Sequence, residues 1–295
     1  MKLRIAYLDA FTSEPFCGNP CAVLPEAGLL TAEQMQQVAR ETNLSETAFV
    51  LPSEKAAVRV RYFMPHREIP FAGHPTIATA FLLAQEGRIP VGRPVSRVDF
   101  EFSIGVLPVE VHWDRSGVPI RAVMTQKAPF FGTQTDPAAL AECVDLQRKD
   151  FPTEFPAQVV GTGIPFLMVP VRGLDVLRKA HMHRDRLAAL LSPLGVDAAY
   201  LFCREGIDPE SDAHGRLFSP ANAFEDPYTG SAVGALGAFM VHHGMHAGPR
   251  ITVEQGHLIG RPGTGIVEVV GSADTIGAVK VGGSAVRTLE GFIYV

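Results

Sequence analysis

Glu46 is the residue in this sequence best placed to move a proton. It follows Asn43-Leu44-Ser45 and opens the apolar run Thr47-Ala48-Phe49-Val50-Leu51, a position where a carboxyl group is drawn partly out of water. Burial disfavours the charged form of an acid and lifts its pKa toward the range useful for general acid–base work. A lone glutamate before an apolar strand more often caps an element or faces solvent, so its surroundings must carry the assignment. Two other clusters supply those surroundings. Gly73 and His74 stand just before Pro75, which suits the first position of a helix because its missing N–H would be unpaired there anyway. Glu225-Asp226-Pro227-Tyr228-Thr229-Gly230-Ser231 runs into a second helix, where Gly230 permits close approach of the backbone and Ser231 can cap or donate. Free N–H groups and aligned dipoles at two helix starts favour a carboxylate, so the expected substrate is small and anionic.

The elements that must hold these residues repeat. Asn19–Pro25 (NPCAVLP) is matched by Ile164–Pro170 (IPFLMVP), each a strand opening on X-Pro. TAEQMQQVAR, residues 31–40, has apolar residues at helical spacing and Thr and Glu at the spacing of a capping box, and it leads into Ser45–Leu51. Arg184–Leu191 leads likewise into Val196–Phe202 (VDAAYLF), which puts Asp197 opposite Glu46 in the repeat. Phe63-Met64-Pro65 then corresponds to Phe218-Ser219-Pro220, and the helices Pro75–Gln85 and Ser231–His243 correspond to each other. Both helices are small and apolar on nearly every side, so each must be wrapped by protein. Strand-like segments supply the wrapping: 57–63, 98–102, 107–112 and 122–125, then 158–160, 166–169, 251–254, 265–270 and 275–281. The expected fold class is α+β, with two pseudo-symmetric lobes, each a curled sheet around a central helix, and the active site in the cleft between them. Residues 1–118 form the first lobe and 119–295 the second, with the crossover near Ser116–Pro119, where Asp114–Gly117 reads as a turn; the last strand, 286–295, is free to return to the first lobe.

Composition removes several alternatives. A length of 295 residues suits two cores, and 46% hydrophobic with 19% charged residues is an ordinary globular balance. The net charge is −5 and the basic residues are scattered, which leaves no footprint for nucleic acid. No apolar stretch is long enough to cross a bilayer, and Met1–Asp9 reads as a strand rather than a targeting segment, so a cytoplasmic protein with no membrane partner is expected. Cys17, Cys21, Cys143 and Cys203 show no paired spacing and read as buried free thiols. Gly161-Thr162-Gly163 lacks the rest of a nucleotide-binding loop, and Gly244 breaks the helical face that would let His242, His243 and His246 share a metal. No metal and no cofactor are expected.

The motifs resemble the phenazine-biosynthesis PhzF-like family, which has the diaminopimelate epimerase fold. The resemblance runs through Asp9–Thr12 and Pro15–Pro20, the Asn43–Val50 motif, Pro70–Thr76, Gly161–Pro165, Glu225–Ala232, and Gln255-Gly256 with Gly260-Arg261-Pro262. It implies a cofactor-independent isomerase in which Glu46 is the single acid/base that moves a proton within a small cyclic or hydroxylated carboxylic acid. It implies substrate contacts from His74, Asp226 and Ser231, backbone donors from Gly73 and Gly230, and a homodimer. Ala72, Pro75 and Tyr228 depart from the family pattern and touch substrate shape rather than proton chemistry. Racemases of this fold resemble two-base enzymes with a cysteine at each helix start. Ala72 precedes Gly73 here and no cysteine lies between Glu225 and Ser231, which disfavours two-base inversion. The other reading is a non-catalytic protein that binds a small carboxylate in the same cleft.

Overall fold

A computed structural model describes residues 1–221 and 225–295. Its chain divides into two compact units, Met1–Thr125 with Gly282–Val295, and Gln126–Val281. Residues 114–118 close a hairpin within the first unit, with the Asp114 carboxylate accepting from the N–H groups of Ser116 and Val118.

The first unit contains β1 (Lys2–Ala10), β2 (Asn19–Leu24), α1 (Ala32–Thr42), β3 (Thr47–Leu51), β4 (Val58–Phe63), β5 (Glu68–Ile69), α2 (Gly73–Gln85), β6 (Val95–Phe102), β7 (Gly105–Trp113) and β8 (Pro119–Gln126). The second contains β9 (Phe130–Thr135), β10 (Ala157–Gly161), β11 (Pro165–Pro170), α3 (Leu174–Lys179), α4 (Arg184–Leu191), β12 (Ala199–Cys203), β13 (Ala213–Phe218), α5 (Gly230–His242), β14 (Arg250–Gln255), β15 (Gly263–Ser272) and most of β16 (Thr275–Gly283). The last strand, β17 (Ala285–Tyr294), pairs antiparallel with β1 and belongs to the first unit.

Strand pairing repeats between the units. In the first, β1 and β2 are antiparallel, β2 and β3 parallel, β3 and β4 antiparallel, β4 and β6 parallel, and β6 and β7 antiparallel. In the second, β10 through β15 follow the same alternation. Each parallel step needs a crossover, and in both units the second crossover is the apolar helix. α2 packs against β1, β2, β3, β7 and β17, and is buried from His74 to Ala84. α5 packs against β10, β11 and β15 with Ala232–Met240 buried. Gly237 makes that approach possible, because a Cβ there would lie 2.3 Å from Cγ1 of Val267. These helices are therefore held by their surroundings on all sides, as their composition requires.

Several local features differ from the sequence expectation. The capping box of α1 closes on Gln34, not Glu33: Thr31 caps the Gln34 N–H while Gln34 Oε1 accepts from the Thr31 N–H, since the partner must lie three residues beyond the cap. α2 begins two residues before Pro75, so the proline is third in the helix and His74 second. That position is still within the first turn, where a missing N–H costs nothing. α5 begins at Gly230, and its N-cap residue, Thr229, makes no side-chain capping hydrogen bond. β9 and α3 have no counterpart in the sequence reading. All four cysteines are free, but Cys17 is only half-buried. Among the described residues no helix is long and apolar enough to cross a membrane.

Candidate active site

Chain direction brings Glu46 and His74 together in the first unit. α1 ends at Asn43 in the left-handed conformation (φ 49°), which turns the chain sharply into β3 and leaves Glu46 half-buried at the strand's mouth. His74 projects from the first turn of α2 and is 5% exposed. Its Nε2 lies 3.4 Å from Oε2 of Glu46.

The state of that imidazole follows from its partners. Burial pushes the His74 pKa down to about 3, against the raising effect of a hydrogen bond with the Pro20 backbone. Proline has no N–H, so the ring N–H must donate to the Pro20 carbonyl. Nε2 has no hydrogen-bond partner, which puts the proton on Nδ1. His74 is therefore a neutral imidazole whose Nε2 lone pair faces a carboxyl oxygen. A protonated Glu46 can donate to that lone pair, whereas a carboxylate faces electron density. Cys21 is fully buried, and burial followed by the charge of Glu46 pushes its thiol well above the ordinary range. It stays a thiol and supplies no second base. The N-cap of α2 is Ala72, whose methyl group offers the first turn no capping acceptor.

The second unit gathers Asp226, Gly230 and Ser231 in one loop and helix start. The Thr229 hydroxyl donates to the Asp226 carboxylate. Gln255, fully buried at the end of β14, makes four hydrogen bonds, three of which fix the loop. Its Nε2 donates to the Asp226 carbonyl at 2.8 Å and the Thr229 hydroxyl at 3.1 Å, and its Oε1 accepts from the Thr229 N–H at 3.1 Å and the Tyr200 hydroxyl at 3.0 Å. Gln126 Nε2 donates to the Gly230 carbonyl at 3.0 Å, and Gln126 in turn accepts from Thr162 at 2.5 Å. Arg216 grips Glu225 with two bonds of 2.9 and 2.8 Å at the other end. Ser231 is half-buried one residue inside α5. Tyr228 is fully buried with its hydroxyl on the Val253 carbonyl. Its bulk thus fills the interior of the unit.

Sequence reasoning did not single out Gln126, Tyr200 or Arg216, and Thr162 entered it only as part of the Gly161–Pro165 motif. Gln255 entered it only as part of the Gln255-Gly256 motif. The acid opposite Glu46 in the repeat, Asp197, is exposed, and its carbonyl accepts from Ser219. The three clustered histidines have separate partners: His242 contacts the Ala273 carbonyl, His243 Gln158, and His246 Asp212. Among the described residues the group whose side-chain atoms lie close enough to share a metal ion is His214, Glu254 and His257.

Comparison with known proteins identifies the family of the chain. The profile of the family described as "Phenazine biosynthesis-like protein" matches residues 8–291. An uncharacterized isomerase of Clostridium acetobutylicum is 35% identical, with 97% of this chain and 96% of the relative aligned. The trans-2,3-dihydro-3-hydroxyanthranilate isomerase of Pseudomonas aeruginosa is 34% identical over 99% of each chain. The crystal structure of a PhzF-family phenazine biosynthesis protein from Bacillus anthracis superposes with a TM-score of 0.90 at 29% identity over the whole of both chains.

Proposed function

The chain belongs to the phenazine biosynthesis-like family and is an isomerase, and from that premise we propose that it shifts a proton within a small cyclic or hydroxylated carboxylic acid, with Glu46 as the single acid/base. The observation that carries this reading is the contact between Glu46 and a neutral, tautomer-fixed His74. Glu46 as carboxylate takes a proton from an activated carbon; the C–H electron pair moves into the conjugated system, and the double bonds shift. The carboxylic acid, whose proton exchanges with solvent between the two transfers, then protonates a different carbon. Atoms balance without an oxidant, reductant or second substrate. While Glu46 holds the proton, the Nε2 lone pair of His74 can accept a hydrogen bond from it, which steadies the acid between the two transfers.

The substrate carboxylate is held by backbone N–H groups at the start of α2 or α5, at Gly73 or Gly230. His74, Asp226 and Ser231 orient its hydroxyl or amino groups. The substrate to try first is trans-2,3-dihydro-3-hydroxyanthranilate, the one in the name of the Pseudomonas relative. Turnover is followed in heavy water by NMR and mass spectrometry. Wild type is expected to isomerise it with deuterium entering the new C–H position. Glu46→Gln is expected to lose about 10³-fold in rate while remaining folded, the scale of a positioned acid/base. A folded Glu46→Gln variant that turns over at the wild-type rate overturns the assignment. Saturable binding of cyclic carboxylates with no exchange by wild type identifies a non-catalytic binding protein instead.

A further inference from the structure

We propose that His214, Glu254 and His257 form a binding site for a divalent metal ion of the zinc type, separate from the proton-shift residues. The three come together through strand pairing and one turn. β13 and β14 are parallel neighbours with His214 directly opposite Glu254, so both side chains leave the same face of the sheet. Gly256 then reverses the chain at φ +87°, where a Cβ would lie 2.2 Å from the Arg261 carbonyl oxygen and 2.5 Å from that of Pro227. That turn returns His257 to the side of Glu254.

One ligand atom from each residue lies within 4.8 Å of the others. His214 Nδ1 is 2.9 Å from Glu254 Oε2, and His257 Nε2 is 4.0 Å from Glu254 Oε1. Ligands about 2.0–2.2 Å from a tetrahedral zinc ion stand roughly 3.3 Å apart. The two spacings straddle that value, and most of the adjustment falls on His257, which sits in a single short turn bounded by left-handed glycines at 256 and 260. On binding, the metal takes the place of the hydrogen-bonding proton between His214 and Glu254.

The donor set and its charge fit the ion. Two imidazoles and one carboxylate suit zinc or cobalt, whereas magnesium and calcium seek oxygen ligands. Glu254 is fully buried, and both its carboxyl oxygens are engaged, Oε1 by the Asp208 N–H and Oε2 by the Ile207 N–H and His214 Nδ1. A dication offsets the enclosed negative charge. The partly exposed His257 side chain, at 20%, is the side from which the ion enters.

The test needs no substrate and stands apart from the proposed reaction. Untagged full-length protein is stripped with a chelator and titrated with zinc chloride by calorimetry, and with cobalt chloride by visible absorption. One zinc per chain is expected, with intense cobalt d–d bands and, at hundredfold excess over the dissociation constant, a Tm raised by about 5 °C. His257→Ala, a change at a partly exposed turn, should weaken zinc at least tenfold, and Glu254→Gln should do the same. Absence of stoichiometric binding by wild type, or affinity unchanged in His257→Ala, overturns the proposal; the latter would place the ion on other surface histidines.

Discussion

Replacing Gln255 with leucine tests whether the Asp226–Gly230 loop is built from β14 or merely lies beside it. The substitution keeps the volume and removes four hydrogen bonds from a residue with no exposed surface. Four groups then lose this partner: the hydroxyl of fully buried Tyr200, and the N–H of Thr229, the hydroxyl of Thr229 and the carbonyl of Asp226 in the half-buried loop. The buried Tyr200 hydroxyl left unsatisfied costs about 1–3 kcal/mol and each half-buried group about 0.5 kcal/mol, so the variant should be destabilised by about 2.5–4.5 kcal/mol. Thr229→Val removes the donor to the Asp226 carboxylate and the acceptor for Gln255 Nε2. Because the two residues share partners, the double variant should be less destabilised than the sum of the singles, by roughly 1–2 kcal/mol. Urea unfolding followed by circular dichroism and tyrosine fluorescence measures all four proteins. A Gln255→Leu loss under about 1 kcal/mol, or additivity within about 0.5 kcal/mol, would refute the view that this glutamine holds the loop.

Acid sensitivity should carry the mark of His74. The folded state resists protonating it until about pH 3, whereas the unfolded imidazole takes a proton near 6.5, so between those values the unfolded chain binds more protons and stability falls as pH drops. Its share of the slope is about 1.4 kcal/mol per pH unit in that window; His74→Gln should flatten the stability profile by that amount, and an unchanged slope would contradict the buried neutral assignment. Gly237→Ala places a methyl against Val267 inside the second unit and should cost about 1–3 kcal/mol in thermal or urea unfolding. A neutral result there would mean that α5 and β15 can move apart.

What could be read from the sequence was whatever depends on spacing within one element. The all-round apolarity of Ile77–Ala84 and Ala232–Met240 marks helices that must be enclosed, and both are. Repeated X-Pro strands anticipate the repeated pairing of β2 with β3 and β11 with β12. Contacts that depend on which strands become neighbours were not readable. Nothing near Glu46 says that His74, 28 positions on, will stand 3.4 Å away with its proton on the Pro20 side. Nor does Gln255 declare that its amide will meet a loop some 26 to 29 residues earlier. Tyr228 looked like a residue shaping the substrate, but the strand beside it takes its hydroxyl into the interior.

The partnership of β1 with β17 has a consequence for the order in which the molecule is made. A ribosome adds β17 only after the entire second unit, yet β17 completes the first by pairing along nearly the whole of β1, from Lys2↔Tyr294 to Ala10↔Ala285. The nascent first unit therefore waits with one flank of β1 unpaired while its neighbour is synthesised and closes. Truncation within the last ten residues should thus strike the amino-terminal half of the protein, the half that carries Glu46 and His74.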